Sequence, residues 1–149
     1  MAADGSNTER DYAGDVSPSK TWQMLESGAH LIDVRTAAEW TYVGLPDLDD
    51  AMNEPLLIEW QSFPAMQVNA GFADALGDEL ERRGVSRDRP LLFLCRSGVR
   101  SLAAARAMTG RGWNAAYNIE GGFEGVPDDD GHRGRTNGWK AAGLPWKQG

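Results

Sequence analysis

The sequence predicts an α/β fold with a central parallel sheet and helices on both of its faces. Short apolar runs suited to buried strands alternate along the chain with segments of helical periodicity, an arrangement typical of parallel sheets. The chain has 149 residues, 41% of them apolar and 25% charged, which is enough for one globular core. We therefore expect a single domain over residues 17–149. Residues 1–16 are polar and lack apolar periodicity, which predicts a flexible N-terminal arm.

The first predicted elements follow directly after this arm. Pro18, preceded by a serine, predicts the start of a helix that ends before Gly28. Residues 30–34 form a short apolar run that suits a buried strand. Thr36 and Glu39 have the spacing of a capping box, which predicts a helical turn immediately after that strand.

The strongest helical pattern begins after Asn69, which we expect to cap the helix. Its apolar side chains recur every four residues, at Phe72, Leu76 and Leu80. Gly84 should end this helix, because Val85 is then placed for the hydrophobic contact of a Schellman cap.

The second half of the fold is predicted from further segments of the same two kinds. Residues 90–94 are a continuous apolar run typical of a strand buried on both faces, residues 99–109 predict a helix, and residues 115–119 predict another strand. Residues 125–134 are rich in Gly and Asp and predict a long surface loop without the ligand spacing of an EF-hand. Functional sites gather outside the carboxyl ends of parallel strands, and Cys95 occupies such a position.

Composition and charge exclude several classes of partner. A formal charge of −7 and an isoelectric point near 4.8 argue against nucleic acids and anionic membranes, which bind clustered Lys and Arg. No apolar run approaches the ~20 residues that span a bilayer, and the N-terminal residues lack the pattern of a signal peptide, so we expect a cytoplasmic protein. The single cysteine excludes an internal disulfide and suits a reducing compartment.

The segment from Cys95 to Ser101 joins a strand end to a helix start, where backbone N–H groups and the helix dipole favour anions. Gly98 permits a tight or left-handed backbone there, and Arg96 and Arg100 supply charged donors. Because a thiolate is the nucleophilic form and is stabilised in such a setting, we expect Cys95 to be catalytic. We expect Ser101 to be a secondary donor to the thiolate. The candidate substrate-binding residues are Arg96, Ser97, Gly98, Val99, Arg100 and Ser101.

The residues alone leave another interpretation of this cysteine open. Cys95 could be an inert thiol at the buried end of a strand, although an inert thiol has no need of the adjacent glycine and arginines. His30 and His132 lie far from Cys95 in the sequence. Nothing indicates a Cys–His dyad, so a cysteine protease is not favoured.

Three segments, in order along the chain, resemble the signatures of the rhodanese family. Residues 31–40 resemble a strand that ends in Asp-x-Arg before a glutamate and an aromatic residue, and residues 95–100 resemble the six-residue active-site loop. Residues 117–123 resemble a strand that runs into Gly-Gly and an aromatic residue. The resemblance implies a rhodanese-like fold, a persulfide carried on Cys95, and a sulfur donor bound by the loop amides and basic side chains.

The first of these segments contains Asp33, Arg35 and Glu39, which we interpret as structural residues that fix the loop after the first strand. The chain departs from the family pattern in two places. Residues 44–51 lack a histidine that the family usually has, and the tryptophan expected soon after Gly-Gly corresponds to Trp139, displaced by the Asp-rich loop. Both departures lie outside the active-site loop, so they concern the acceptor and subfamily more than the sulfur chemistry.

These residues predict a sulfurtransferase that works by double displacement. Cys95 takes sulfane sulfur from a donor such as thiosulfate or a persulfide, and a thiol or protein acceptor then removes it. This mechanism requires no metal and no organic cofactor.

The same residues leave two alternatives to this function. Cys-based phosphatases and arsenate reductases resemble Cys-x5-Arg, whereas four residues separate Cys95 from Arg100 here. One residue fewer removes up to ~3.5 Å of contour, which favours an added sulfur atom over a tetrahedral oxyanion. A non-enzymatic persulfide carrier or binding module is the other alternative, and the intact loop argues against a module that only binds.

Overall fold

The structure is a computed structural model that describes residues 11–62 and 67–148. Its helices are α1 (Pro18–Glu26), α2 (Ala37–Tyr42), α3 (Phe72–Arg82), α4 (Val99–Thr109) and α5 (Gly138–Ala141). Its strands are β1 (Gly14–Val16), β2 (His30–Asp33), β3 (Leu45–Pro46), β4 (Leu56–Leu57), β5 (Gln61–Ser62), β6 (Gln67–Val68), β7 (Leu91–Leu94), β8 (Ala116–Ile119) and β9 (Trp146–Lys147). Within the described ranges, none of the helices has the length and apolar character needed to cross a membrane.

The central sheet has the strand order β1-β8-β7-β2-β4, and each neighbouring pair in it is parallel. In the pairing of β2 with β7, Leu31 lies opposite Leu92 and Ile32 lies opposite Phe93. Two short antiparallel pairs, β3 with β9 and β5 with β6, lie outside this sheet. The predicted α/β fold with a central parallel sheet is confirmed.

Side chains that alternate along β2 and β7 pack into a separate core on each face of the sheet. Ile32 and Phe93 belong to the core beneath α3 and α4, whereas Leu31 and Leu92 belong to the core beneath α1 and α5. The helices contribute Phe72, Leu76, Leu80, Ala104, Ala105 and Met108 to the first core and Leu25 and Trp139 to the second. Burying one large apolar side chain stabilises a fold by about 1.5–3 kcal/mol, so these two cores hold the inner strands and their carboxyl ends in place.

Local capping explains where the first two helices begin. The Ser17 side chain accepts a hydrogen bond from the Lys20 N–H at 3.1 Å, so α1 begins at Pro18 as predicted. Thr36 and Glu39 form the predicted capping box at the start of α2. These two starts place β2 between well-defined helices.

The third helix ends as predicted but begins differently. Gly84 has a φ of 75°, and the Val85 N–H donates to the Leu80 carbonyl at 3.0 Å, which is the bond of a Schellman cap. The prediction of Asn69 as the cap is wrong, because the cap position is Gly71. The Asn69 side chain instead accepts the Gly71 N–H at 3.1 Å and forms a turn before the helix. Helix α4 has the predicted bounds.

The predicted end of the flexible arm at residue 16 is wrong. Residues 14–16 form β1, an edge strand paired with β8 so that Gly14 lies opposite Tyr117 and Val16 opposite Ile119. A three-residue edge strand is held by main-chain hydrogen bonds to its neighbour, so it needs no apolar periodicity of its own. The rest of the predicted arm at residues 1–10 lies outside the described residues.

The predicted loop at residues 125–134 is mostly exposed and is organised by main-chain and side-chain hydrogen bonds of Asp128. The Asp128 carboxylate accepts the N–H groups of Asp130 and His132, each at 2.9 Å. Beyond the loop, Trp139 is fully buried and its indole N–H donates to the Pro145 carbonyl at 2.8 Å. The loop therefore separates the Gly-Gly segment from a tryptophan that completes the core beneath α1.

Candidate active site

The loop between β7 and α4 lies at the carboxyl edge of the central sheet. Cys95 directly follows β7 and Gly98 is the cap residue of α4, so residues 95–98 turn the chain from strand to helix. A cavity of about 570 Å³ opens at this loop. It is lined by residues of the loop and of other segments: Glu39, Val43, Gln61, Cys95, Arg96, Ser97, Val99, Arg100 and Glu124.

The loop brings a backbone N–H group onto the cysteine sulfur. Gly98 has a φ of 119°, in the left-handed region that favours glycine, and its N–H donates to Cys95 Sγ at 3.1 Å. Cys95 is only 1% exposed, so its sulfur lies at the buried end of the cavity. The N-terminal end of α4 and this amide both favour negative charge at the sulfur.

The Gly-Gly segment after β8 fixes the opposite side of the loop. The Phe123 N–H donates to the Cys95 carbonyl at 2.8 Å, and the Glu124 N–H donates to the Arg96 carbonyl at 2.9 Å. A Cβ atom on Gly122 would lie 2.4 Å from the Cys95 carbonyl oxygen, so only glycine fits there. These bonds satisfy the loop carbonyls with main-chain donors and leave loop N–H groups for an anion.

Arg96, Ser97 and Val99 line the opening of the cavity. Arg96 is exposed, and the described part of the chain provides no hydrogen-bonding or ion-pair partner for its guanidinium. Val99 is 78% exposed although it is apolar. The opening therefore combines a cation available to an anionic ligand with an apolar side chain next to it.

Arg100 forms an ion pair with Glu39, a residue for which the sequence predicts a structural role. Its guanidinium donates to both carboxylate oxygens of Glu39, at 2.6 and 3.0 Å. Glu39 also accepts the Thr36 N–H at 3.2 Å as part of the capping box. Glu39 therefore occupies two donors of Arg100 and offsets its charge, while Arg100 also lines the cavity, so its binding of substrate stays a prediction.

The ion pair shifts the pKa of each partner. Burial alone would raise the pKa of Glu39, but the hydrogen bond and charge of Arg100, with smaller contributions from Thr36 and Arg35, lower it overall. Burial alone would lower the pKa of Arg100, but Glu39, with smaller contributions from other nearby acidic groups, raises it overall. Both groups are therefore held in their charged forms beside the cavity.

Ser101 lies against the sulfur, as its place in the sequence predicts. Its Oγ is 3.2 Å from Cys95 Sγ, and the same Oγ donates to Asn118 Oδ1 at 2.6 Å. Asn118 is on β8 and did not stand out in the sequence. The hydroxyl of Ser101 thus has two neighbours and a single proton to share between them.

Asp33 and Arg35 are fully buried, and neither lines the cavity. They form a fully buried ion pair at 2.7 Å, and Arg35 also donates to the Gly44 carbonyl at 2.9 Å. The Arg35 guanidinium lies 4.3 Å from the centre of the Phe123 ring. These contacts agree with the structural role predicted for both residues.

Other cavity residues were missed because they come from separate segments. Val43 lies at the end of α2, Gln61 is in β5, and Glu124 follows the Gly-Gly segment. None of them belongs to a motif with a spacing that indicates chemistry. Glu39 did belong to a motif, but the capping box explained it locally.

Comparison with known families shows which family the chain belongs to. The family description "Rhodanese-like domain" matches residues 17–128, which is most of the chain and includes the loop at Cys95. The chain belongs to the rhodanese-like domain family. The resemblance stated from the three sequence segments is confirmed.

This rhodanese-like protein is similar to proteins from several bacteria. It is 44% identical to Rv0390 from M. tuberculosis, whose crystal structure superposes with a TM-score of 0.80 over 93% of this chain and 99% of that chain. It is 37% identical to an uncharacterized protein of Rickettsia rickettsii, over 89% of this chain and 96% of the relative. It is 24% identical to the thiosulfate sulfurtransferase GlpE of Actinobacillus pleuropneumoniae, over 88% and 90% of the two chains.

Proposed function

We propose that this protein is a sulfurtransferase that carries sulfane sulfur as a persulfide on Cys95. The observation that carries the proposal is the position of the Cys95 sulfur, at the buried end of a cavity with the Gly98 N–H at 3.1 Å. A family that includes sulfurtransferases, and the distant relative named for thiosulfate, support the same chemistry.

The proposed reaction has two displacements. The Cys95 thiolate attacks the outer sulfur of thiosulfate, the bond between that sulfur and the sulfonate sulfur breaks, and sulfite leaves with the electron pair. A thiolate acceptor then attacks the outer sulfur of the Cys95 persulfide, and the cysteine leaves as a thiolate. No electrons are gained or lost overall, because the sulfane sulfur moves from one nucleophile to another.

The loop residues have different proposed roles in this reaction. The Gly98 N–H holds the Cys95 sulfur, other loop N–H groups bind the anionic donor and the leaving sulfite, and Arg96 at the opening attracts them. Ser97 and Val99 shape the cavity. We assign Arg100 chiefly to holding the loop against α2, because Glu39 already accepts two of its hydrogen bonds.

The first test asks whether Cys95 takes up sulfur. Incubation with thiosulfate should add the mass of one sulfur atom to the wild type and nothing to Cys95→Ser, measured on the intact protein. Subsequent addition of cyanide or a small thiol should remove it. An unchanged rate of thiosulfate-to-cyanide transfer in Cys95→Ser would overturn the proposal.

A second test separates sulfur transfer from phosphatase chemistry. One glycine inserted between Gly98 and Val99 gives the loop the spacing of a Cys-based phosphatase and widens its ring of amides. Thiosulfate turnover should fall in this variant. If the wild type hydrolyses an aryl phosphate faster than it transfers sulfur, the phosphatase alternative takes precedence.

The identity of the sulfur donor distinguishes two forms of this function. One is an enzyme that uses thiosulfate, and the other is a carrier that is loaded only by another protein. We propose thiosulfate or a small persulfide as the donor, a thiol or protein thiol as the acceptor, and a reducing, cytoplasmic setting that keeps Cys95 reduced. A screen of small donors, read by mass spectrometry of Cys95, distinguishes the two. Loading by a persulfide protein, with no loading by any small donor, would establish the carrier instead.

A further inference from the structure

A line of polar side chains crosses from the cavity to the surface of the protein. Cys95 Sγ lies 3.2 Å from Ser101 Oγ, and Ser101 Oγ lies 2.6 Å from Asn118 Oδ1. Asn118 Nδ2 then lies 3.0 Å from the carboxylate of Asp15, which is exposed on β1. Strand β1 thus contacts the nucleophile through two buried side chains, although it contributes nothing to the cavity lining.

The exposed end of this line fixes the direction of each hydrogen bond. A carboxylate can only accept, so the Asp15 side chain requires the Asn118 amide group to face it as a donor. The Asn118 carbonyl oxygen must then face Ser101, and the Ser101 hydroxyl must donate to it. A hydroxyl has a single proton, so at Cys95 the Ser101 oxygen presents a lone pair.

We infer that Asp15 and Asn118 are positioning residues that direct the Ser101 hydroxyl away from Cys95 and thereby favour the thiol over the thiolate. A thiol can donate to the lone pair of Ser101, whereas a thiolate facing that lone pair gains no bond from it. This role is opposite to the one that the sequence predicts for Ser101, which was donation to the thiolate. It rests on the proposed function in assigning Cys95 as the nucleophile.

Other charged groups line the same cavity as Cys95. Arg96 belongs to its own loop, Arg100 to α4, Glu39 to α2, and Glu124 to the segment after β8. The buried ion pair of Asp33 and Arg35 is close enough to act on Glu39 and Arg100. None of these groups is altered by changes at Asp15, so they provide a constant background against which the hydroxyl direction can be measured.

The test is the pH dependence of Cys95 alkylation by iodoacetamide in folded full-length protein. Asn118→Leu changes no charge and removes the acceptor of the Ser101 proton, so the hydroxyl is free to donate to the thiolate. Its alkylation midpoint should lie below that of the wild type by about one pH unit, the effect of one hydrogen bond to a charged group. Asp15→Ala should shift the midpoint in the same direction, because the Asn118 amide can then rotate.

Ser101→Ala supplies a test of sign. If the wild-type hydroxyl accepts from the thiol, its loss should lower the midpoint; if it donates to the thiolate, its loss should raise the midpoint. The double variant Asp15→Ala/Ser101→Ala should match Ser101→Ala alone, because Asp15 acts through the hydroxyl. A shift from Asp15→Ala that persists without the hydroxyl would reveal a direct charge effect and overturn the inference.

Thermal melting of each variant shows that it is folded, and if Ser101→Ala does not fold, Asn118→Leu decides the question. An unchanged or higher midpoint in Asn118→Leu would refute the inference. Failure of the proposed function is a separate result, because it would appear as absence of the sulfur adduct on Cys95. The alkylation midpoints are measured without any sulfur donor and remain informative in that case.

Discussion

Replacement of Glu39 by glutamine tests how far the cavity depends on its ion pair with Arg100. The variant keeps the size of the side chain but leaves the guanidinium without a carboxylate. Both partners are mostly buried, with 14% of the Arg100 side chain and 17% of the Glu39 side chain exposed. Exposed pairs contribute ~0–1 kcal/mol and breaking a buried pair costs about 3–5 kcal/mol, so we expect a loss of about 2 kcal/mol.

This loss predicts a measurable change in melting temperature. For a chain of 149 residues, 1 kcal/mol corresponds to roughly 2–4 °C, so Glu39→Gln should melt about 4–8 °C below the wild type. Glu79→Gln is a matched control, because it breaks the exposed ion pairs with Arg82 and Arg83 at the end of α3. Calorimetry at neutral pH should show little change in that control.

The pH dependence of the difference in melting temperature between Glu39→Gln and wild type provides a second criterion. Arg100 lowers the pKa of Glu39 below its ordinary value of 4.5, despite the opposing effect of burial. The ionised carboxylate therefore stabilises the fold fully above pH 4.5, and this contribution is lost as the pH falls through the folded-state value. The gap between Glu39→Gln and wild type should shrink in acid. Equal melting temperatures at neutral pH, or an equal loss in Glu79→Gln, would refute the reasoning.

Two further predictions concern the Gly-Gly segment and a partly buried histidine, His30. Gly122→Ala should lower both the melting temperature and the rate of sulfur transfer, because its Cβ would collide with the Cys95 carbonyl, whereas Gly131→Ala has similar backbone strain and open space around it. Equal losses in the two variants would show that the collision is unimportant. Burial, with the charges of Arg89 and Arg83, lowers the pKa of His30 from 6.5, so the free energy of unfolding should decrease as the pH falls below 6.5. Denaturant titrations should show this dependence weakened in His30→Gln, and an identical pH profile would contradict it.

The parts of the fold that the sequence predicts are those with strong local patterns. The bounds of α4, the capping box at Thr36 and the Schellman cap at Gly84 each depend on residues within a few positions of one another. The inner strands β2 and β7 are predictable because burial on both faces requires continuous apolar runs. Their carboxyl ends then locate Cys95 at the edge where sites form.

The missed elements are short strands whose partners define them. β1 pairs with β8 across about a hundred residues of sequence, and β3 pairs with β9 near the end of the described chain. Such strands have two or three residues, too few for any periodicity to be detected. Their contacts come from main-chain hydrogen bonds, which any sequence can supply.

The same limit applies to the electrostatics of the site. The sequence predicts that Arg96 and Arg100 provide positive charge at the Cys95 loop, and both line the cavity. It does not predict which of them is available to a ligand, because that depends on Glu39, a residue 61 positions before Arg100. The capping box concealed this contact by giving Glu39 a sufficient local explanation.

The Glu39 carboxylate therefore has two roles, a helix cap and an ion pair, and the sequence pattern indicates only the cap. Glu39 accepts the Thr36 N–H at the start of α2 and both terminal nitrogens of Arg100 on α4, so it ties the loop after β2 to the helix that follows Cys95. A substitution that truncates the Glu39 side chain therefore frees the arginine and disturbs the cap at the same time. For this reason the role of Arg100 in donor binding is better tested at the arginine itself.

Arg100→Lys preserves the Thr36–Glu39 cap and a positive charge but removes the bidentate geometry. If Arg100 chiefly holds the loop, this variant should lose thermal stability while its KM for thiosulfate changes less than that of Arg96→Ala, and the reverse order in steady-state kinetics would return Arg100 to the role of direct ligand.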